Sequence, residues 1–340
     1  MLELTSLSDI ALGHRAYWLR VAPSGWLVAA TKEGHASVIG PDMVRVAEHS
    51  LGSGLKDVAI SNDGLLLALV RGSGVEVLDA RSGVKLRTLA TASDRELHAA
   101  RFTANDAHVW TASVALGKAR DATIALHDVV TGARLRDATF PDPGPGSDLS
   151  LWPHPDPSQV TIWAAAGQDG QWILSARDSA GGIDVTLVPD LDDTTPPAFS
   201  PSGDEILLLS DDALERRRFP SFEQVGALAT WPWDADDADE DGLGSHVEYI
   251  SDARAVVSTS NGRLFVIDLA RMEIADEAFV TGHAPRPVGE LYPRLAEDTT
   301  TGSDLIYFSR SADGHVVSVH RELPEHERDA WRDRLVKWAR

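Results

Sequence analysis

The chain has no cysteine, three methionines and, by count, only five lysines. Without thiols it can form no disulfide, no thiolate metal site and no cysteine nucleophile. It also lacks a run of about 18 apolar residues, which excludes a membrane-spanning helix. The opening stretch, Met1-Leu-Glu-Leu-Thr-Ser-Leu7, has no basic segment followed by an apolar one. No signal peptide is read there, and a cytoplasmic location is expected. Positive charge is scarce: 31 Lys and Arg stand against 52 Asp and Glu, a net charge of −21. Such a chain repels a phosphate backbone, so nucleic acid is not an expected partner, and neither is a membrane. What it does have is length and apolar content. With 340 residues, 43% of them hydrophobic, it can build a large core.

The apolar residues recur in a degenerate repeat. Its centre is an apolar strand, a turn of small polar residues with Gly or Asp, and a second apolar strand. Phe199-Ser-Pro-Ser-Gly203-Asp-Glu-Ile-Leu-Leu-Leu209 is the clearest copy. Ile60-Ser-Asn-Asp-Gly64, Val21-Ala-Pro-Ser-Gly25, Phe102-Thr-Ala-Asn-Asp106 and Tyr249-Ile-Ser-Asp-Ala253 begin others. Proline presets φ, and Gly, Asn or Asp accepts positive φ, so each copy predicts a tight hairpin. A third strand follows, ending in aspartate, then a turn and a fourth strand. Val75-Glu-Val-Leu-Asp79, Ile124-Ala-Leu-His-Asp128 and Leu264-Phe-Val-Ile-Asp268 are the third strands.

Four short strands at a period of about 40 to 50 residues predict a β-propeller. First strands are expected near 16–22, 55–61, 97–103, 147–153, 195–200, 246–251 and 288–293, which makes seven blades. The last unit has only three strands of its own. Leu2–Leu7 precedes the first unit with no partner and would close the circle as the seventh blade's outer strand. The expected fold is therefore all-β: a seven-bladed β-propeller of four-stranded antiparallel blades over residues 1–321, closed by the N-terminal strand. Residues 322–340 read as a separate C-terminal amphipathic α-helix. Pro324 suits its first turn, acids crowd its start and bases its end, and Trp331, Leu335 and Trp338 share a face. That stripe packs on a blade or docks a partner.

Over roughly residues 2–321 the chain resembles the WD-repeat family of seven-bladed propellers. The resemblance rests on the Ser-Pro-Ser-Gly-type hairpins, on Gly13-His14 and Gly282-His283 before first strands, and on the aspartates after third strands. Where the family carries the Trp of its Trp-Asp pair, this chain has Leu78, His127 and Ile267. The resemblance implies a non-catalytic scaffold that holds a protein or peptide on one face. Loops of that face contain Lys56, Arg71, His98, Lys118, Arg120, Gln168, His246 and Arg263, the candidate partner-binding residues. Trp231 and Trp233 are a further candidate anchor, or buried strand ends. Trp152, Trp163 and Trp172 fit strand patterns and are read as packing residues.

One local pattern suggests a cation. Asp237-Ala-Asp239-Glu-Asp241-Gly242-Leu243 through Glu248 fits D-x-D-x-D-G-x5-E. Calcium needs six to eight oxygens, which Asp237, Asp239, Asp241, the Leu243 carbonyl and a bidentate Glu248 could supply. The plainer reading is a solvated acidic loop, since Asp234 to Asp241 holds six acids. No histidine pair has metal-ligand spacing, there is no G-x-S-x-G elbow, and no Gly-rich loop opens a helix. Arg216-Arg217-Arg218 is read as a solvated strand edge. The alternative function is a metal-dependent hydrolase of lactonase type, on a related propeller. A third reading, adaptation to high salt, draws on the acid excess. That excess is uneven: residues 171–320 hold 28 acids and 10 bases, residues 1–170 hold 19 and 15. On a ring this predicts one acidic sector, attractive to a basic partner.

Overall fold

The computed structural model describes the chain apart from residues 1, 23–24, 41–43, 73, 90–93, 117–120, 142–147, 166–170, 188–194, 211–212, 229–243, 260–263, 282–287, 297–303, 312–315 and 323–340. For residues 2–9, 153, 171, 244–246, 250, 258–259 and those after 276, the backbone alone is described. The regular elements among the described residues are all strands. The first, β1, is Leu2–Ala11. Five antiparallel four-stranded meanders follow. Sheet 1 is β2 (Trp18–Val21), β3 (Leu27–Ala30), β4 (His35–Ile39) and β5 (Arg45–Ser50). Sheet 2 is β6 (Leu55–Ile60), β7 (Leu66–Arg71), β8 (Gly74–Asp79) and β9 (Lys85–Leu89). Sheet 3 is β10 (Arg95–Phe102), β11 (His108–Ala115), β12 (Asp121–Asp128) and β13 (Arg134–Pro141). Sheet 4 is β14 (Asp148–Pro153), β15 (Gln159–Ala165), β16 (Gln171–Ser179) and β17 (Gly182–Leu187). Sheet 5 is β18 (Ala198–Phe199), β19 (Glu205–Leu209), β20 (Leu214–Arg218) and β21 (Gln224–Leu228).

The last eight strands form one sheet. A sixth meander, β22 (Gly244–Ser251), β23 (Arg254–Thr259), β24 (Leu264–Asp268) and β25 (Glu273–Thr281), is joined to β26 (Val288–Ala296), β27 (Asp304–Ser311) and β28 (Val316–Glu322). The joint is β1. It pairs antiparallel with β28, from Leu4↔Glu322 to Ala11↔Val316, as the outer strand expected for the last unit. It also pairs parallel with β25, from Leu2↔Ala278 to Thr5↔Thr281, which the repeat alone does not predict. All seven expected first strands coincide with β2, β6, β10, β14, β18, β22 and β26. The proposed C-terminal helix at 322–340, with Trp331 and Trp338, lies outside the described residues apart from Glu322, which ends β28.

The repeat is reproduced at the level of atoms. In sheets 2, 3 and 5 the turn closes by the same bonds: Gly64, Asp106 and Gly203 donate their amides to Ser61, Thr103 and Ser200 carbonyls. The hydroxyls of Ser61, Thr103 and Ser200 in turn accept from the amides of Leu66, His108 and Glu205. Asp106 takes the left-handed conformation (φ 57°) where its counterparts are glycine, which Asp tolerates better than most residues. The aspartates after third strands cap the next turn. Asp79 accepts from Ser82 N and Oγ, Asp128 from Thr131 N and Oγ1, and Asp268 from the amides of Ala270 and Arg271.

Inner strands are buried on both faces, as at Leu67–Val70, while fourth strands such as β5 and β13 alternate and face solvent. The cause is the stacking of sheet on sheet. One apolar cluster joins Val28 and Val38 to Leu67 and Leu69, and the next joins Val75 and Val77 to Leu97 and Val109. Then Ile124 and Leu126 meet Leu151 and Ile162, Ile173 meets Phe199 and Leu208, and Leu207 and Leu214 meet Tyr249 and Phe265. Each fully buried Leu or Val contributes about 1.5–3 kcal/mol relative to exposure. Ile10 of β1 packs on the sheet 1 cluster of Leu12, Leu19 and Leu27.

The basic triplet is not a solvated edge. β20 is the third strand of its sheet, and the side chains of Arg216 and Arg217 are mostly covered. Arg216 pairs with Glu205 at 2.7 Å and donates to the Leu269 carbonyl at 3.0 Å, while Arg217 pairs with Glu215 at 2.6 Å. Neighbouring acids and a carbonyl satisfy the charges. Arg218 alone is exposed.

Candidate functional site

First strands end on a common feature. Residues of β2, β6, β10, β14, β18 and β22, with the turns after them, line one cavity of about 390 Å3. The repeat explains which side chains reach it. Five residues before the positive-φ position of each hairpin, or its counterpart Ala253, stand Arg20, Ala59, Arg101, Ala198 and Glu248, and all five line the cavity. Equivalent backbone positions point equivalent side chains at it, so the choice of residue there sets its chemistry. The wall is otherwise largely apolar, with Ile60, Phe102, Phe199 and Trp152.

Asp57 ties three sheets together at this wall. Its Oδ1 accepts from Arg20 Nη2 at 3.1 Å and its Oδ2 from Arg101 Nη1 at 2.5 Å. Arg101 also donates to the Ala100 carbonyl at 2.6 Å. Asp57 and Arg101 are both buried, so the pair sits where removal of one partner strands a buried charge. Burial pushes the Arg101 pKa down, Asp57 opposes the shift and the Arg20 charge adds to it. The trio carries one net positive charge. Two buried donors in the wall, Arg20 Nε and Trp152 Nε1, have no hydrogen-bond partner.

His154 also lines the cavity, but its ring is committed. Nδ1 accepts the Asp156 amide at 2.9 Å, which leaves Nε2–H to donate to the Gly203 carbonyl at 2.9 Å. Burial lowers its pKa, against the Gly203 bond and Asp156. Glu248 sits on the sixth meander, in the ladder with Val256. Among the described residues no group of three or more His, Asp or Glu is placed to hold a metal ion. Of the calcium pattern, Glu248 is a cavity-lining strand residue, and Asp237, Asp239, Asp241 and Leu243 lie outside the described residues.

Of the candidate partner-binding residues, Lys56, Arg71 and His98 fall on the opposite edge of the sheets. Lys56 and His98 stand near the starts of first strands, and Arg71 ends β7 opposite Leu55. All three join neighbouring segments. Lys56 Nζ is 2.9 Å from Glu96 of sheet 3. Arg71 donates to the carbonyls of Leu51, Gly52 and Ser53 in the link from sheet 1 and pairs with Glu76. His98 Nδ1 lies 3.4 Å from Asp148 and 3.5 Å from the Leu149 amide, and burial lowers its pKa. His246 lies in β22 with only its backbone described. Lys118, Arg120, Gln168, Arg263, Trp231 and Trp233 lie outside the described residues. Trp152, Trp163 and Trp172 are half-buried, the last two against the clusters that hold sheets 3, 4 and 5 together.

Neither Arg20, Asp57 nor Arg101 is singled out by motif or spacing. Their signal is a charged residue inside an apolar first strand, visible once the hairpins are aligned. Among the described residues no helix is long and apolar enough to cross a membrane. No protein-family model matches the chain, and a comparison with curated proteins finds no relative.

Proposed function

We propose that the chain is a seven-bladed β-propeller, related in plan to WD-repeat proteins, that binds a protein or peptide partner and does not itself catalyse a reaction. The observation that carries this reading is the convergence of six successive first strands on one cavity, the expected consequence of sheets set around an axis. In this arrangement β22–β25 is the sixth blade, β26–β28 with β1 the seventh, and β1 closes the ring. Such a disc spends its apolar residues on a stiff frame and leaves its loops free for recognition. The polar groups described at the cavity are two guanidiniums tied to a carboxylate, a histidine with both nitrogens bonded, Asn62 and Glu248, a set suited to binding.

The partner surface is the edge carrying Lys56, Arg71, His98 and, near the start of β22, His246, together with the loops that hold Lys118, Arg120, Gln168 and Arg263. The acid excess of residues 171–320 favours a partner with a basic face. Affinity capture from the native host, followed by mass spectrometry, tests the reading. One protein should be retained at low salt, released by moderate salt, and lost when the six acids of 234–241 are changed to Asn and Gln. Turnover of a lactone or ester that stops on metal removal, with no specific capture, would establish the hydrolase alternative instead.

A further inference from the structure

The hairpin repeat places side chains of opposite charge at one level of the cavity. Arg20 and Arg101 come from sheets 1 and 3, and Glu248 comes from the sixth meander at the same repeat position. The alanines at that position in sheets 2 and 5, Ala59 and Ala198, leave room between them. Asp57 holds the two guanidiniums without cancelling both, so the arginine wall keeps one positive charge against the one negative charge of Glu248. Apart from Asn62 and His154, whose ring nitrogens are both bonded, the rest of the described lining is apolar or aromatic.

A neutral molecule with separated charges and an apolar body complements such a cavity. We propose that the cavity binds an amino-acid zwitterion with a large apolar side chain. Its carboxylate meets Arg20 and Arg101, its ammonium meets Glu248, and its side chain lies against Phe102 and Phe199. Arginine suits the first role because its planar fork pairs with a carboxylate through two parallel bonds. A carboxylate has about four acceptor sites, so Glu248 can take an ammonium in addition to a contact within the protein. Arg20 Nε, buried and without a partner, is a donor that a small turn of the guanidinium would bring into use. A cavity of about 390 Å3 lies in the range of pockets for small molecules. Remote acids of the chain are screened beyond about 8 Å at physiological salt, so local charges decide the match.

The proposal goes beyond the partner reading and does not rest on it. Calorimetric titration of the full chain with L-phenylalanine, N-acetyl-L-phenylalanine and L-phenylalaninamide tests it. L-phenylalanine should bind, and each derivative, lacking one of the two charges, should bind at least tenfold more weakly. Arg20→Gln should abolish the preference over the amide, and Glu248→Gln the preference over the N-acetyl compound. Arg20→Gln leaves the Arg101–Asp57 pair in place, and a melting curve confirms that each variant is folded. If a variant does not fold, the three ligands on the wild type still decide. No heat with L-phenylalanine, equal affinity for all three ligands, or folded variants with unchanged preference would overturn the proposal. Partner capture that persists alongside such a result leaves the scaffold reading standing.

Discussion

His127 stands where the resemblance expects tryptophan, and its surroundings make it a liability in acid. It is 1% exposed, its Nε2 lies 3.2 Å from Thr111 Oγ1, and its Nδ1 is buried without a partner. Burial, helped by the charge of Arg134 and opposed by Asp137, pulls its pKa from 6.5 down to about 4. The unfolded chain therefore takes up a proton near pH 6.5 that the folded chain refuses until about pH 4. Stability falls as pH drops through that window and levels off below it, by at most about 3 kcal/mol for this residue. His98 and His154 are shifted in the same direction, each mainly by burial. Urea unfolding at pH 7.0, 5.5 and 4.5 should show His127→Leu losing less stability than the wild type on acidification. Parallel profiles would show that another group carries the acid sensitivity. The position of His127 is visible in the sequence. Its desolvation is not, because that depends on the strands packed around it.

At the scale of the element, the hairpin turns do more than reverse the chain. The repeat predicts glycine at Gly64 and Gly203 because φ is positive there, and it is, at +72° and +77°. The neighbouring sheet supplies a second reason. A Cβ on Gly64 would overlap the indole of Trp26 from sheet 1, and one on Gly203 the imidazole of His154 from sheet 4. Between sheets 2 and 3 the same place is filled by hydrogen bonds. Asp106 accepts from Asn62 N at 2.8 Å, Asn62 Nδ2 at 2.9 Å and Asp63 N at 3.0 Å. The turns are thus stitched from one sheet to the next. Gly52 separates the two effects: its φ is +79° and a Cβ there would meet nothing within 4 Å. Gly52→Ala should cost about 1 kcal/mol from backbone strain alone. Gly64→Ala and Gly203→Ala should cost roughly 2–4 kcal/mol, since overpacking is added. Thermal melts of the three variants decide, and equal losses would remove the stitching from the account. Turn chemistry was legible because it is local. The ring filling each turn comes from about 40 to 50 residues away in the sequence.

For the whole molecule, β1 matters out of proportion to its length. It is hydrogen-bonded to β25 on one side and to β28 on the other, and without it both strands become bare edges. Deleting residues 2–9 should expose the amides of β25 and β28 to rapid hydrogen exchange while β7 and β11, in sheets of their own, stay protected. Sedimentation should show concentration-dependent association through the new edges. Unchanged protection in β25 and β28 would show that β1 is dispensable. The net charge of −21 is likewise a property of the whole that the cavity does not share. There, among the described residues, the first-strand ladder sets Arg20 and Arg101 against Asp57 and Glu248, a balance of charge in a strongly acidic chain.

The amino-acid sequence by itself determined the all-β class, the four-strand unit, the places of the first strands and the pairing of the N-terminal strand with the last. Each of these follows from alternation, turn residues and period, which are local or repeating properties that need no knowledge of neighbours. Tertiary structure alone decided that Asp57 bridges two arginines, that Lys56, Arg71 and His98 are tied into neighbouring segments, that Arg216 and Arg217 are covered, and that β1 also pairs with β25. These depend on which strand lies beside which, and on the distance at which two charges meet. A degenerate repeat sets the spacing of its units, but not which side chains touch across them.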